Sequence, residues 1–67
     1  MNETMQLIDT HQIQPGDHVE VVGMGGRWFE VIATDDPALL RLRTDTGKEF
    51  SAGRVTVTRH KRQEHEA

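Results

Sequence analysis

Turn-forming residues punctuate this chain so densely that the segments between them suit short strands and require no long helix. Pro15-Gly16-Asp17, Gly23-Met24-Gly25-Gly26, Asp35-Asp36-Pro37, Asp45-Thr46-Gly47 and Gly53 follow one another along it. Strand signals separated by turn chemistry at intervals of roughly 8 to 12 residues mark an all-β sandwich or barrel.

Pro15 fixes φ and Gly16 accepts a positive φ without strain, so this turn opens a first strand over His18 to Val22. There Val19 and Val21 share one face while His18 and Glu20 share the other, as a half-buried strand requires. The second strand, Arg27 to Thr34, carries Phe29, Val31 and Ala33 on one side and Trp28 and Ile32 on the other. Such a strand is covered on two sides, or it bends so that its ends present different faces to the core. Leu39 to Thr44 alternates Leu40 and Leu42 with Arg41 and Arg43, which are expected to face solvent or a ligand.

Asp45-Thr46-Gly47 suits a three-residue hairpin loop with Gly47 in the left-handed region, and Lys48 to Ala52 returns with Phe50 as the expected core anchor. Gly53 permits a tight turn into a fifth strand, Val55 to Thr58, which is β-branched throughout. Near the N-terminus, Met5 to Ile8 reads as a short extra strand, with a short helix over residues 3 to 9 as the competing assignment. Asp9 or Thr10 then caps one turn that folds Ile13 over the end of the barrel.

The 67 residues include no cysteine, which excludes a disulfide framework and a thiolate zinc site. A domain of this size buries only roughly 60% of the surface its unfolded chain exposes, leaving little room for a deep enclosed active site within a monomer. Stability must come from packing or from a partner subunit, which makes self-association an expectation. No basic N-terminal segment leads into an apolar stretch, and no apolar run approaches a membrane span. The expected location is the cytoplasm, with no membrane contact.

Charge is unevenly placed. Residues 1–53 hold four Lys/Arg against nine Asp/Glu, or -5, and residues 54–67 hold four against two, or +2, for a net -3. Arg54, Arg59, Lys61 and Arg62 precede the first acid of that basic segment and are candidate phosphate contacts. The net charge has the wrong sign for strong non-specific attraction to nucleic acid. The domain plan is an N-terminal arm over residues 1–12, a barrel over 13–59 and a charged, flexible tail over 60–67.

Ile13-Gln-Pro-Gly-Asp-His-Val-Glu-Val-Val-Gly, then Trp28-Phe-Glu-Val-Ile, then Asp45-Thr-Gly and a closing Val55-Thr-Val57, resembles the SH3-like small barrels, including KOW and Tudor-type modules. The resemblance covers residues 13–58 and implies a five-stranded antiparallel SH3-like small barrel. In KOW proteins the corresponding surfaces bind RNA or ribosomal and transcription partners. Phe29 and Glu30 stand where those motifs usually place a glycine in the second strand. Gly16-Asp17-x-Val19 followed by Trp28 is also similar to the start of the plasmid-type dihydrofolate reductases, small barrels that form tetramers around a central pore. Their Val-Gln-Ile-Tyr pore run has no counterpart, since the comparable segment reads Val55-Thr-Val57-Thr and the chain has no tyrosine.

The side chains assemble no catalytic constellation by spacing. His11, His18, His60 and His65 lack the interval that puts two imidazoles on one helical face, and Ser51, the single serine, has no histidine placed to activate it. The Gly23 to Gly26 cluster lacks the Lys-Ser/Thr of a phosphate loop. Asp35-Asp36 before Pro37 is turn chemistry. No catalytic residue, cofactor or metal is therefore assigned.

What remains is a candidate interaction surface of Met24, Arg27, Trp28, Arg41 and Arg43, because Trp and Arg are the side chains that most often anchor interfaces. The competing role for Trp28 is to pack over the barrel as core or to close one of its ends. The expected function is a non-catalytic interaction module that binds a protein or its own copy. The alternatives are a KOW-like nucleic-acid-binding module using Arg41, Arg43 and the basic C-terminal segment, and an oligomeric enzyme with an inter-subunit site.

Overall fold

The computed structural model describes residues 9–62. Five strands form one antiparallel sheet: β1 His18–Val21, β2 Phe29–Ala33, β3 Leu39–Arg43, β4 Glu49–Gly53 and β5 Val57–Lys61, in the order β4-β3-β2-β1-β5. The all-β expectation holds. Among the described residues the helical pieces are two 3-10 turns of three residues, Thr10–Gln12 and Arg54–Thr56.

The hydrogen-bonded ladder stays open, because β4 and β5 stand at opposite ends of the strand order. Only Arg54–Thr56 joins them. Four strand spacings in a flat sheet would separate them by about 19 Å, whereas the four peptide steps from Gly53 to Val57 reach at most about 14 Å even when extended. The sheet must therefore curl.

Inside the curl lie Ile13, Val19, Phe29, Val31, Leu40, Leu42 and Val57, all buried, with Val21, Phe50 and Ala52 packed against them. Phe29, not Phe50, is the buried aromatic, and the half-buried Phe50 meets it edge to face at 5.1 Å and 84°. The register of β2 with β3 shifts between Val31 and Ala33, and Ile32 is left half-buried. Asp9 caps the first 3-10 turn by accepting the His11 amide at 3.0 Å, and Ile13 follows into the core.

The two turns on which the glycine argument rested form as expected. Gly16 has φ 97° and the Asp17 amide donates to the Gln14 carbonyl at 3.0 Å. Gly47 has φ 92°, the Thr44 amide donates to the Lys48 carbonyl at 2.8 Å, and Thr44 Oγ1 accepts the Thr46 and Lys48 amides.

The closing segment differs from the expectation. Val55 is 95% exposed in the 3-10 turn, and the last strand runs over Val57–Lys61 instead of Val55 to Thr58. Three hydrogen bonds hold that turn against β propensity: Thr56 Oγ1 to the Gly53 carbonyl at 2.6 Å, the Val22 amide to the Thr56 carbonyl at 2.8 Å and the Arg54 amide to the Ala38 carbonyl at 2.9 Å. His60 and Lys61 consequently belong to the sheet, not to a tail beginning at residue 60. The expected extra strand Met5 to Ile8 lies outside the described residues.

Candidate functional site

Strand alternation sends one set of side chains from each strand to the convex outer face. His18 pairs with Lys61 on one side and Glu30 on the other, Glu30 pairs with Arg43, and Arg43 pairs with Glu49. A single row across the sheet thus reads Lys61, His18, Glu30, Arg43, Glu49 from β5 to β4. From Glu30 to Glu49 acid, cation and acid alternate along it.

Within this row Glu30 and Arg43 form an ion pair, and adjoining rows of the same face add two more. Arg43 donates from Nε at 3.3 Å and Nη2 at 2.9 Å to Glu30 Oε1. That hydrogen bond and the Glu30 charge raise the Arg43 guanidinium above its ordinary pKa, holding it still more firmly protonated. Arg41 Nη2 stands 3.5 Å from Glu49 Oε1, and Arg59 Nη1 stands 3.4 Å from Glu20 Oε2. The two arginines of β3 do face outward, as their alternation predicted, but each meets a carboxylate from a neighbouring strand.

Trp28 immediately precedes β2, on the opposite side from the buried Phe29, and is half-buried outside the core. Lys61 Nζ sits 4.5 Å and the Arg59 guanidinium carbon 5.3 Å from its ring centroid. Cations this close to an indole face are held by its quadrupole, at about 0.5–1 kcal/mol each when exposed. Residues 59 and 61 are two apart on β5, so both project to the same face and reach the indole together. Trp28 therefore stands outside the buried core cluster as a platform for two cations.

Arg27 and Trp28 also line, with Gly26, Phe29, Asp45 and Thr46, a surface groove of about 480 Å³ between the β1–β2 loop and the β3–β4 hairpin. Met24 is exposed in the same loop but does not line the groove, and Arg41 lines a separate depression of about 170 Å³ beside Asp35, Asp36 and Ser51. Of the five residues expected to make one interaction surface, Arg27 and Trp28 line the groove, Met24 lies in the adjoining loop, Arg43 is paired with Glu30 on the outer face and Arg41 lines the separate depression.

Arg54, expected as a phosphate contact, is engaged with the backbone. Its Nε, Nη1 and Nη2 donate to the carbonyls of Asp36 at 3.0 Å, Thr10 at 2.8 Å and Thr34 at 2.8 Å. The planar guanidinium fork ties together three separate chain segments, with its donors directed inward at backbone. Arg62 donates to Gln12 Oε1 at 3.3 Å. Of the four residues expected to contact phosphate, Arg59 and Lys61 stand together at the indole.

Sequence reasoning missed Glu20 and Glu30 as members of this face. Their outward alternation was visible, but which cation each would meet depends on cross-strand register. Among the described residues no group of three His, Asp or Glu side chains stands together as a metal site, and no helix is long and apolar enough to cross a membrane. No protein-family model, curated protein or solved structure matches the chain.

Proposed function

We propose that the chain is a non-catalytic SH3-like interaction module that binds a protein partner through the outer face of β5, β1 and β2 around Trp28. The SH3-like reading is supported by the strand order β4-β3-β2-β1-β5 together with a 3-10 turn between the last two strands. The observation that carries the functional reading is the half-buried Trp28 beneath Arg59 and Lys61, on a face that carries cations and carboxylates paired across strands. An indole with adjacent guanidinium and ammonium groups supplies a large contact area of the kind that anchors protein interfaces. A polyanion laid across this face would meet Glu20 and Glu30 as well as the cations, whereas a protein surface can match both signs.

Nucleic acid is the second reading. It is supported by Trp28 with Arg59 and Lys61, a stacking platform beside cations. Arg41 and Arg43, matched by Glu49 and Glu30, and Arg54, held by carbonyls, add nothing to it.

A photo-crosslinking side chain placed at Arg27, beside the indole, and in a second variant at Ser51 on β4, tests the proposal in the cells from which the chain comes. Protein adducts from position 27 and none from position 51 are expected, and their mass distinguishes a second copy from another protein. Adducts to nucleic acid alone, equal adducts from both positions, or none, would overturn it.

A further inference from the structure

Among the described residues β5 is an edge strand: β1 pairs with it on one side and no strand pairs with it on the other. Its outward side chains at alternate positions are Arg59 and Lys61. Arg59 is 67% exposed despite its contact with the largely buried Glu20, and the contact seen for Lys61 is the indole of Trp28. We infer that this edge receives an acidic, extended segment of a partner protein as a sixth strand, with carboxylates at alternate positions meeting Arg59 and Lys61. The inference rests on the interaction-module reading and names the partner's chemistry.

Three physical arguments select this occupant. An edge presents unpaired backbone groups that an extended peptide satisfies by strand addition, so the ladder supplies attachment and alternate side chains supply selectivity. Side chains directly opposite across an antiparallel pair lie about 5 Å apart, which brings carboxylates two residues apart within reach of Arg59 and Lys61. The same cations repel a second copy's β5, since symmetric pairing of two such edges would set Arg59 and Lys61 of one chain against those of the other. Cationic edge residues also protect a sheet from edge-to-edge aggregation. Here that protection is selective, because it admits a strand of opposite sign.

Trp28 adds the reporter. It is the single tryptophan of the chain, and both cations sit over its ring, so a carboxylate drawn to either one alters the surroundings of the only indole.

The test is a titration of the full chain, followed by Trp28 emission, with an eight-residue peptide carrying Glu at alternate positions between Thr and Val. The same peptide with Lys for Glu and an eight-nucleotide oligothymidylate serve as competitors of other chemistry. The acidic peptide is expected to change the emission saturably, with affinity falling several-fold between 50 and 300 mM salt. Lys61→Gln should weaken it by about threefold and the double variant Arg59→Gln/Lys61→Gln by about tenfold, each variant being checked for an unchanged cooperative melt. N-methylation of alternate amides in one phase should abolish binding, because it blocks the ladder, and in the other phase should leave it. No response to the acidic peptide at millimolar concentration, an equal response to the Lys peptide, a response to oligothymidylate alone, or binding that survives methylation in both phases would overturn the inference. Protein adducts from position 27 alongside any of those outcomes would reject the acidic sixth strand while the interaction-module reading stood.

Discussion

His60 Nε2 lies 2.8 Å from Asp17 Oδ2, with the two side chains 12% and 7% exposed, so the end of β5 is fastened to the turn that opens β1. The same Asp17 oxygen accepts the Gln14 amide at 3.0 Å. One buried carboxylate thus organises both the type II turn geometry at Pro15-Gly16 and the attachment of the edge strand.

Asp17→Ala should cost about 2–4 kcal/mol of unfolding free energy, since it leaves a buried imidazole and a backbone amide without their acceptor. His60→Ala removes one partner and should cost about 1–2 kcal/mol. Urea unfolding of the two single variants and the double variant checks this. Strictly additive losses would show that the two side chains do not act as a pair.

Arg54→Lys should destabilise the fold nearly as much as Arg54→Ala, by about 2 kcal/mol, because an ammonium on a flexible stem cannot span three carbonyls held in a planar fork. A retained stability in Arg54→Lys would refute the clasp, as would a loss that disappears in high salt, since the acceptors are neutral carbonyls and not distant charges.

The strands and turns were legible because the information is local. Alternation placed Val19, Val31, Leu40 and Leu42 inside, and the glycines marked two turns by the φ they adopt. The ends of β5 were not legible. Val55-Thr-Val57-Thr has strong β propensity, yet the short link between opposite sheet edges takes Arg54–Thr56 for a 3-10 turn and moves the strand onward to Lys61. The candidate site divided in the same way. Trp28 was singled out by residue type, but its cations come from β5, more than thirty residues later, in a register that only the assembled ladder sets. The backbone clasp of Arg54 was not legible because its acceptors are the carbonyls of Thr10, Thr34 and Asp36, groups that every residue possesses and no sequence pattern marks.

Gly47→Val and Gly53→Ala should differ sharply. Gly47 has φ +92° with open space around its Cβ direction, so the substitution meets backbone strain alone and should cost about 1–2 kcal/mol. Gly53 has φ -66° and would place a Cβ at ordinary contact distances of 3.9 Å from Val55 and Thr56. It does not need the conformational freedom a tight turn would have required, and Ala there should be neutral or stabilising by up to about 1 kcal/mol. Differential melting curves decide the comparison, and equal losses at the two sites would contradict the turn geometry.

Ending the chain at Arg59 should remove its cooperative melt at 37 °C. The deletion takes away His60 with its bond to Asp17, Lys61 with its pairing to His18 and its place over Trp28, and Arg62 with its bond to Gln12. What is left of β5 is Val57 to Arg59, a strand too short to cover the Val19 side of the core. A domain of this length has about 3–10 kcal/mol of total stability, and the Asp17 pair alone represents about 2–4 kcal/mol of it by the reasoning above. Circular dichroism of the truncated chain, compared with full-length His60→Ala, separates the contributions. If His60→Ala melts cooperatively and the truncated chain does not, the loss belongs to the β5 ladder. If both melt like the parent chain, residues 60–62 are not part of the folded sheet.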